Sequence, residues 1–241
     1  MHIRDTLRNP VWLILGMIQP IVWLLLFAPL LESLMAGPGF QSDNAINFFT
    51  PGLLVMLAVL STLFAGMGVI GDTREGVMEK LRVTPMSRLA LPVSLLIRDW
   101  LMLVIQMLVL IGVGLLMGLR PDPLGLVLKL ALVSLVGLFV AAISYALALV
   151  LKNEYGLSAI SNFLVLPLVL LSGITLPLTL APPFLQTLGR INPLSHAVDA
   201  ARALTAGELT HAAIVPGFVL FTGLLLLAFL WAVSAFRSAT R

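Results

Sequence analysis

The 241-residue chain has no cysteine, which excludes disulfides and thiolate metal sites and leaves the compartment open. Charge is almost as scarce. Charged residues make up 10% of the chain against 60% hydrophobic, with a mean hydropathy of +1.09, too little polar surface to cover a water-soluble globule. The composition therefore reads as an all-α integral membrane protein. Aromatics are only 7%, and no basic face carries interleaved aromatics. The net charge of +3 and pI near 9.8 thus point away from nucleic acid and toward the cytoplasmic excess of Lys and Arg that orients membrane proteins.

Three further absences narrow the function. No glycine-rich loop ending in Gly-Lys-Ser/Thr occurs, so the chain does not bind and split ATP by that route. Apart from Lys129, no Lys, Arg, Asp, Glu or His lies inside an apolar run, which weighs against ion-coupled carriers and charged-ring channels, with carbonyl-based ion sites excepted. Ser195, His196 and Asp199 are close in sequence, but neighbours on a helix point about 100° apart and no nucleophile elbow surrounds the serine, so a hydrolase is not expected. No site for a metal is read either.

What is present is a series of long apolar runs, six spans at about 11–31, 51–71, 101–119, 124–151, 157–176 and 212–235. The first is roughly 31 Å long as a helix at about 1.5 Å per residue, matching a hydrocarbon core of about 30 Å. It is too long for a signal-peptide core and lacks a small-residue cleavage site, so it is expected to stay as an anchor. Gln19-Pro20 allows a bend in its middle, and Pro167 breaks the fifth run. Asn9-Pro10, Thr50-Pro51, Asp122-Pro123 and Asn192-Pro193 each read as N-cap followed by N1. Ala65-Gly66-Met67-Gly68 permits close helix approach. Residues 88–97 read as an interfacial stem that Arg98-Asp99-Trp100 interrupts before the third span, and Lys129 as a residue near enough to a span end to snorkel. Residues 177–211, too polar and proline-rich to cross as one helix, read as two half-helices within 177–206, Pro182 to Arg190 and Pro193 to Ala206, ended by Gly207. Asp199 and Arg202 can pair there at i, i+3.

The exception to the oiliness is Asp72 to Arg88, DTREGVMEKLRVTPMSR, with four of the fourteen Lys and Arg. Asp72 is an N-cap candidate, Glu75 completes a capping-box-like pair, and Val77, Met78 and Leu81 share one side. Thr84-Pro85 stops the helix, because a residue before proline is pushed out of the α region. Two readings stay open: a solvated loop helix that sets topology, or a knob that docks in the groove of a soluble partner. Ten Lys and Arg on the side holding this segment and both ends, against three on the other, place it and both termini in the cytoplasm. The intramembrane polar residues Gln19, Gln106 and Asn162 read more readily as helix-helix glue than as a substrate site.

GDTREGVMEKLRVTPMSR, LSGITLPLTLAPPFLQTLGRINPLSHAVDAAR and the opening RNPVWLILGMIQPIVWLLLF together resemble the permease subunits of type-two ABC exporters, nearest the daunorubicin and doxorubicin resistance branch. The resemblance covers essentially the whole chain. Family members carry a longer cytoplasmic lead-in, so the N-terminal stretch is expected to be abbreviated or truncated. The resemblance implies a bacterial plasma-membrane half-transporter: two copies, homodimeric or heterodimeric, surrounded by membrane lipid, above separate ABC ATPase subunits that bind ATP and magnesium. It implies a coupling helix at 72–85, with Asp72, Arg74, Glu75, Gly76, Glu79, Leu81, Arg82, Thr84 and Pro85 at the ATPase. It implies a pathway or dimer seam with Gln19, Pro20, Gln106, Asn162, Pro167 and Gly173. An outer gate would hold Pro177, Pro183, Asn192, Pro193, Asp199 and Arg202. The cargo would be hydrophobic or amphipathic. A lipid-linked glycan exporter of the same superfamily, or a membrane subunit with no transport role, are the alternatives.

Overall fold

The computed structural model describes residues 18–26, 45–74, 90–174, 178 and 181–239. Among these the chain is helical throughout: α1 over residues 18–26, α2 Ala45–Thr62, α3 Ala65–Arg74, α4 Ala90–Leu116, α5 Pro123–Leu151, α6 Glu154–Leu170, α7 Pro183–Ile191, α8 Pro193–Thr205 and α9 Ile214–Ala239. Four stretches are long and apolar enough to cross a membrane: Ala45–Gly71, Leu91–Leu116, Pro123–Leu151 and Ile214–Ser238. The shorter α6 is apolar too.

α5 is the centre of the bundle. It packs against α9, α2, α3, α8, α4 and α6, and its middle (Val133, Val136, Ala141, Ala142, Tyr145, Ala146) is fully buried. Lipid is as apolar as leucine, so such packing rests on close backbone approach rather than on the hydrophobic effect. Two glycines show it. A Cβ at Gly125 would stand 2.0 Å from the Leu204 carbonyl oxygen of α8, and one at Gly66 of α3 would stand 2.3 Å from the Ser144 carbonyl oxygen of α5. Gly68, two residues from Gly66, faces open space. The small-residue run at 65–68 thus makes its close approach through Gly66.

Most element ends follow their local chemistry. Asp122 accepts from Gly125 N at 2.8 Å with Pro123 opening α5. Lys152 closes α5 in the left-handed conformation, φ 51°, and Asn153 caps α6 by accepting from Tyr155 N at 3.0 Å. Asn192 ends α7 and caps α8, accepting from Leu194 N at 3.0 Å.

Four expectations fail. Thr50-Pro51 is not a helix start: α2 begins at Ala45, with Ile46 and Phe49 in the core, and Pro51 sits inside it. A proline there forfeits one ladder bond near the helix start, which buried packing of the preceding turn outweighs. Asp72 is not an N-cap, because α3 continues through it to Arg74. The stem at 88–97 and the third span form one helix from Ala90 onward, and Arg98-Asp99-Trp100 does not interrupt it. The charges are tolerated because they satisfy each other: Arg98 Nε donates to Asp99 Oδ1 at 2.9 Å, and the Tyr145 hydroxyl of α5 donates to the other carboxylate oxygen. Lys129 does not snorkel; α8 covers it completely. The Asn9-Pro10 cap and residues 75–89 lie outside the described residues.

Gly66→Ala should destabilise the purified protein by about 1–3 kcal/mol through forced separation of α3 from α5, whereas Gly68→Ala should not. Thermal aggregation midpoints in detergent check the contrast; equal effects would contradict the close approach.

Candidate functional site

The described polar groups concentrate at the end of the bundle formed by α7, α8, the α2 start and the turn after α6. Arg202 of α8 is their meeting point. Its Nη2 donates to the Gly173 carbonyl at 2.7 Å and the Ile174 carbonyl at 3.3 Å, its Nε donates to the Phe48 carbonyl at 3.3 Å, and the guanidinium stacks 3.9 Å over the Phe48 ring. These carbonyls belong to the turn that follows α6 and to the start of α2, so one cation ties α8 to both. Its donors go to backbone rather than to Asp199, so the expected i, i+3 pair is not the contact made. Burial lowers the guanidinium to about 10, with the Asp199 charge opposing the shift, so Arg202 stays charged at neutral pH.

A second group joins α8 to α5. Lys129 Nζ donates to Thr205 Oγ1 at 3.0 Å, and Thr205 passes its own proton to the Ala201 carbonyl at 2.8 Å. Thr205 ends α8, where carbonyls point outward and a positive group is favoured. Sequence reasoning missed this role. The partner of Lys129 lies 76 residues away in the chain, and no local sequence signal points to it.

The neighbouring residues are spent on structure. Asn192 Nδ2 donates to the Leu168 carbonyl of α6 at 2.6 Å. Ser195 Oγ lies 2.7 Å from the Gly189 carbonyl and 2.8 Å from that of Asn192, and His196 Nε2 is 3.0 Å from the Arg190 carbonyl. Serine and histidine thus each bond the α7 end rather than each other. Pro183 and Pro193 open α7 and α8, while Pro177 lies outside the described residues.

The residues read as pathway or seam are not gathered by hydrogen bonds. Gln19 is exposed and Pro20 buried on α1. Gln106 is buried on α4 with its Oε1 unbonded. Asn162 turns its amide back to Ser158 of its own helix, at 2.9 Å to the carbonyl. Pro167 lies inside α6, and Gly173 stands in the following turn at φ 74°. Elsewhere an apolar cleft of about 350 Å³ opens between α4, α5 and α9, lined by Val93, Leu96, Trp100, Leu138, Leu225 and Phe229 among others. Of the coupling residues, Asp72 and Arg74 are in α3, and Glu75, Gly76, Glu79, Leu81, Arg82, Thr84 and Pro85 lie outside the described residues.

Arg202→Lys loses the forked geometry that reaches carbonyls on two elements. With Ser172→Cys as the sole thiol of a cysteine-free chain, it should raise labelling by a membrane-impermeant maleimide on the order of tenfold, equivalent to about 1.4 kcal/mol of closure. An unchanged rate would show that Arg202 does not hold the turn after α6 against α8.

Residues 2–206 match the family model described as ABC-2 type transporter. The chain is 30% identical over 199 residues to a putative transport permease, ycf38, of Cyanophora paradoxa, covering 82% of this chain and 69% of that protein. It is 30% identical over 200 residues to the daunorubicin resistance ABC transporter permease protein DrrB1 of Streptomyces coeruleorubidus, covering 82% and 70%. The ycf38 permease of Porphyra purpurea is 29% identical over 197 residues, covering 81% and 68%. With its apolar helices, this is a multi-pass membrane protein whose relatives are transport permeases. The chain belongs to the ABC-2 type transporter family.

Proposed function

We propose that this chain is the membrane subunit of an ATP-driven exporter that moves a hydrophobic or amphipathic substrate outward across a bacterial plasma membrane. The observation that carries the reading is the family match over 2–206 together with a charged, amphipathic segment between α3 and α4 in a chain without a phosphate loop. Nucleotide chemistry then belongs to a separate ATPase subunit, which holds ATP and magnesium. Two permease copies pair, and residues 72–85 dock in the ATPase grooves through Arg74, Glu75, Glu79 and Arg82, with Leu81 as apolar contact.

In this reading α1 and α6 belong to the first and fifth of six spans, the excess of Lys and Arg puts both termini in the cytoplasm, and α7 and α8 lie at the outer side. Asn192, Asp199 and Arg202 close the outer exit. Gln19, Pro20, Gln106, Asn162, Pro167 and Gly173 flank the route or the seam between copies. The wholly apolar cleft beside α4 supports cargo with a large apolar part, and the similarity to a daunorubicin resistance permease supports a drug-like one. ATP binding draws the ATPases together, the coupling segments move as levers, and the spans attached to them rearrange to release cargo outward.

Charge reversal at Glu75→Lys or Arg82→Glu should abolish ATPase co-purification and reduce efflux to the level of cells lacking the ATPase, with membrane insertion intact. Unchanged co-purification and efflux in both variants would overturn the docking role. Deletion should sensitise cells to amphipathic drugs; loss of a surface glycan instead would assign the glycan-exporting branch.

A further inference from the structure

A helix inside a bilayer has to find protein partners for every backbone polar group. The junction between α2 and α3 breaks that ladder. Met67 N–H turns to the Phe64 carbonyl at 3.0 Å instead of reaching back to Leu63, so the Leu63 carbonyl and the Gly66 N–H leave the regular pattern. A single side chain from another helix meets both: Ser144 Oγ of α5 accepts from Gly66 N at 2.9 Å and donates to the Leu63 carbonyl at 2.6 Å. The lack of a side chain at Gly66 is what lets the two backbones come close enough for one hydroxyl to bridge the gap.

The next residue on α5 performs the matching task for α4. Tyr145 is fully buried, and its hydroxyl donates to Asp99, whose other oxygen is held by Arg98. α3 and α4 are the helices that enter and leave residues 75–89. Two adjacent residues of α5 therefore hold the two helices that flank residues 75–89, Ser144 at the break before the first and Tyr145 at the charged point of the second.

We propose that Ser144 and Tyr145 form the node through which movement of α3 and α4 reaches α5, with Ser144 the pin of a hinge at Leu63–Phe64. This rests on the exporter reading for the source of the movement. An unbroken helix is stiff, and a break with no outside partner would bend freely and dissipate the motion. A break whose hydrogen bonds are borrowed from α5 can swing only by carrying α5 with it. Tyr145 makes α4 follow the same helix, so the two helices deliver together. α5 then reaches α8 at its far end through Gly125 and Lys129. Ser144 and Tyr145 are positioning residues; nothing requires them to touch cargo.

The test uses the full-length permease with its ATPase in proteoliposomes, with daunorubicin as the fluorescent probe. Ser144→Ala and Tyr145→Phe should each lower drug moved per ATP hydrolysed about fivefold, while the ATPase still co-purifies and turns over. Thr62→Val is the control, since its hydroxyl bonds only Ala58 of its own helix, at 2.7 Å, and it should keep the wild-type ratio. An unchanged ratio in both node variants, or an equal loss in the control, overturns the proposal. A second arm needs no ATPase. Spin labels at Thr73→Cys and Val150→Cys in the cysteine-free permease should show a broader distance distribution when Ser144→Ala is added, and an unchanged width overturns the hinge. Absence of ATP-driven export by the wild type would refute the exporter reading, and the spin-label arm would still decide the hinge.

Discussion

Backbone-to-backbone contact with α5 is the constraint on which the rest of this molecule depends. In lipid, apolar side chains gain little by leaving one oily environment for another, so a bundle is specified where small residues let helices touch and where polar groups find partners. α5 supplies both. Gly125 receives the end of α8, Ser144 and Ala148 receive Gly66 of α3, and Ala141, Ala142, Ala146 and Ala148 lie buried among neighbouring helices. The remaining helices expose large apolar faces, such as Phe163, Leu166 and Leu170 on α6 and Leu226, Leu227 and Leu230 on α9, as helices in contact with lipid do.

Three polar residues of α5 and α8 sit where another helix ends, breaks or turns, while Tyr145 instead meets the charged pair within α4. Lys129 meets the end of α8, Arg202 meets the turn after α6 and the beginning of α2, and Ser144 meets the α2–α3 junction. Helix ends leave carbonyls and N–H groups without partners, and in a membrane those groups cannot turn to water. Side chains that satisfy them act as joints. In the proposed exporter, joints toward both ends of one buried helix would link the charged segment between α3 and α4 to the α8 end of the bundle.

The sequence made the membrane class, four long apolar helices and the two short helices at 183–205 legible, because hydropathy and proline-anchored caps are local signals. Asp122 and Asn192 cap as their Asx-Pro pairs predict. Thr50-Pro51, a Thr-Pro pair read the same way, fails, since the apolar residues before it extend the helix and bury Phe49. Tertiary partners were the illegible part. Arg202 suggested an i, i+3 ion pair because sequence shows only neighbours on the same helix, and the carbonyls it meets lie far away in the chain. Lys129 suggested snorkelling because no local feature says that α8 folds over it. Ser144 and Tyr145 look like ordinary occupants of an apolar run, and only the broken ladder of α3 and the charges of α4 give them a task.

If α5 is the member that carries motion, then α8 travels with it and separates from α6 when the exit opens. Spin-label distances in the assembled transporter, with and without trapped nucleotide, address this directly. One pair joins Val127→Cys on α5 to Glu208→Cys just past α8, and a second joins Leu170→Cys at the end of α6 to the same Glu208 label. The account predicts a constant 127–208 distance and a changed 170–208 distance; a 127–208 distance that shifts as much as the other would contradict it.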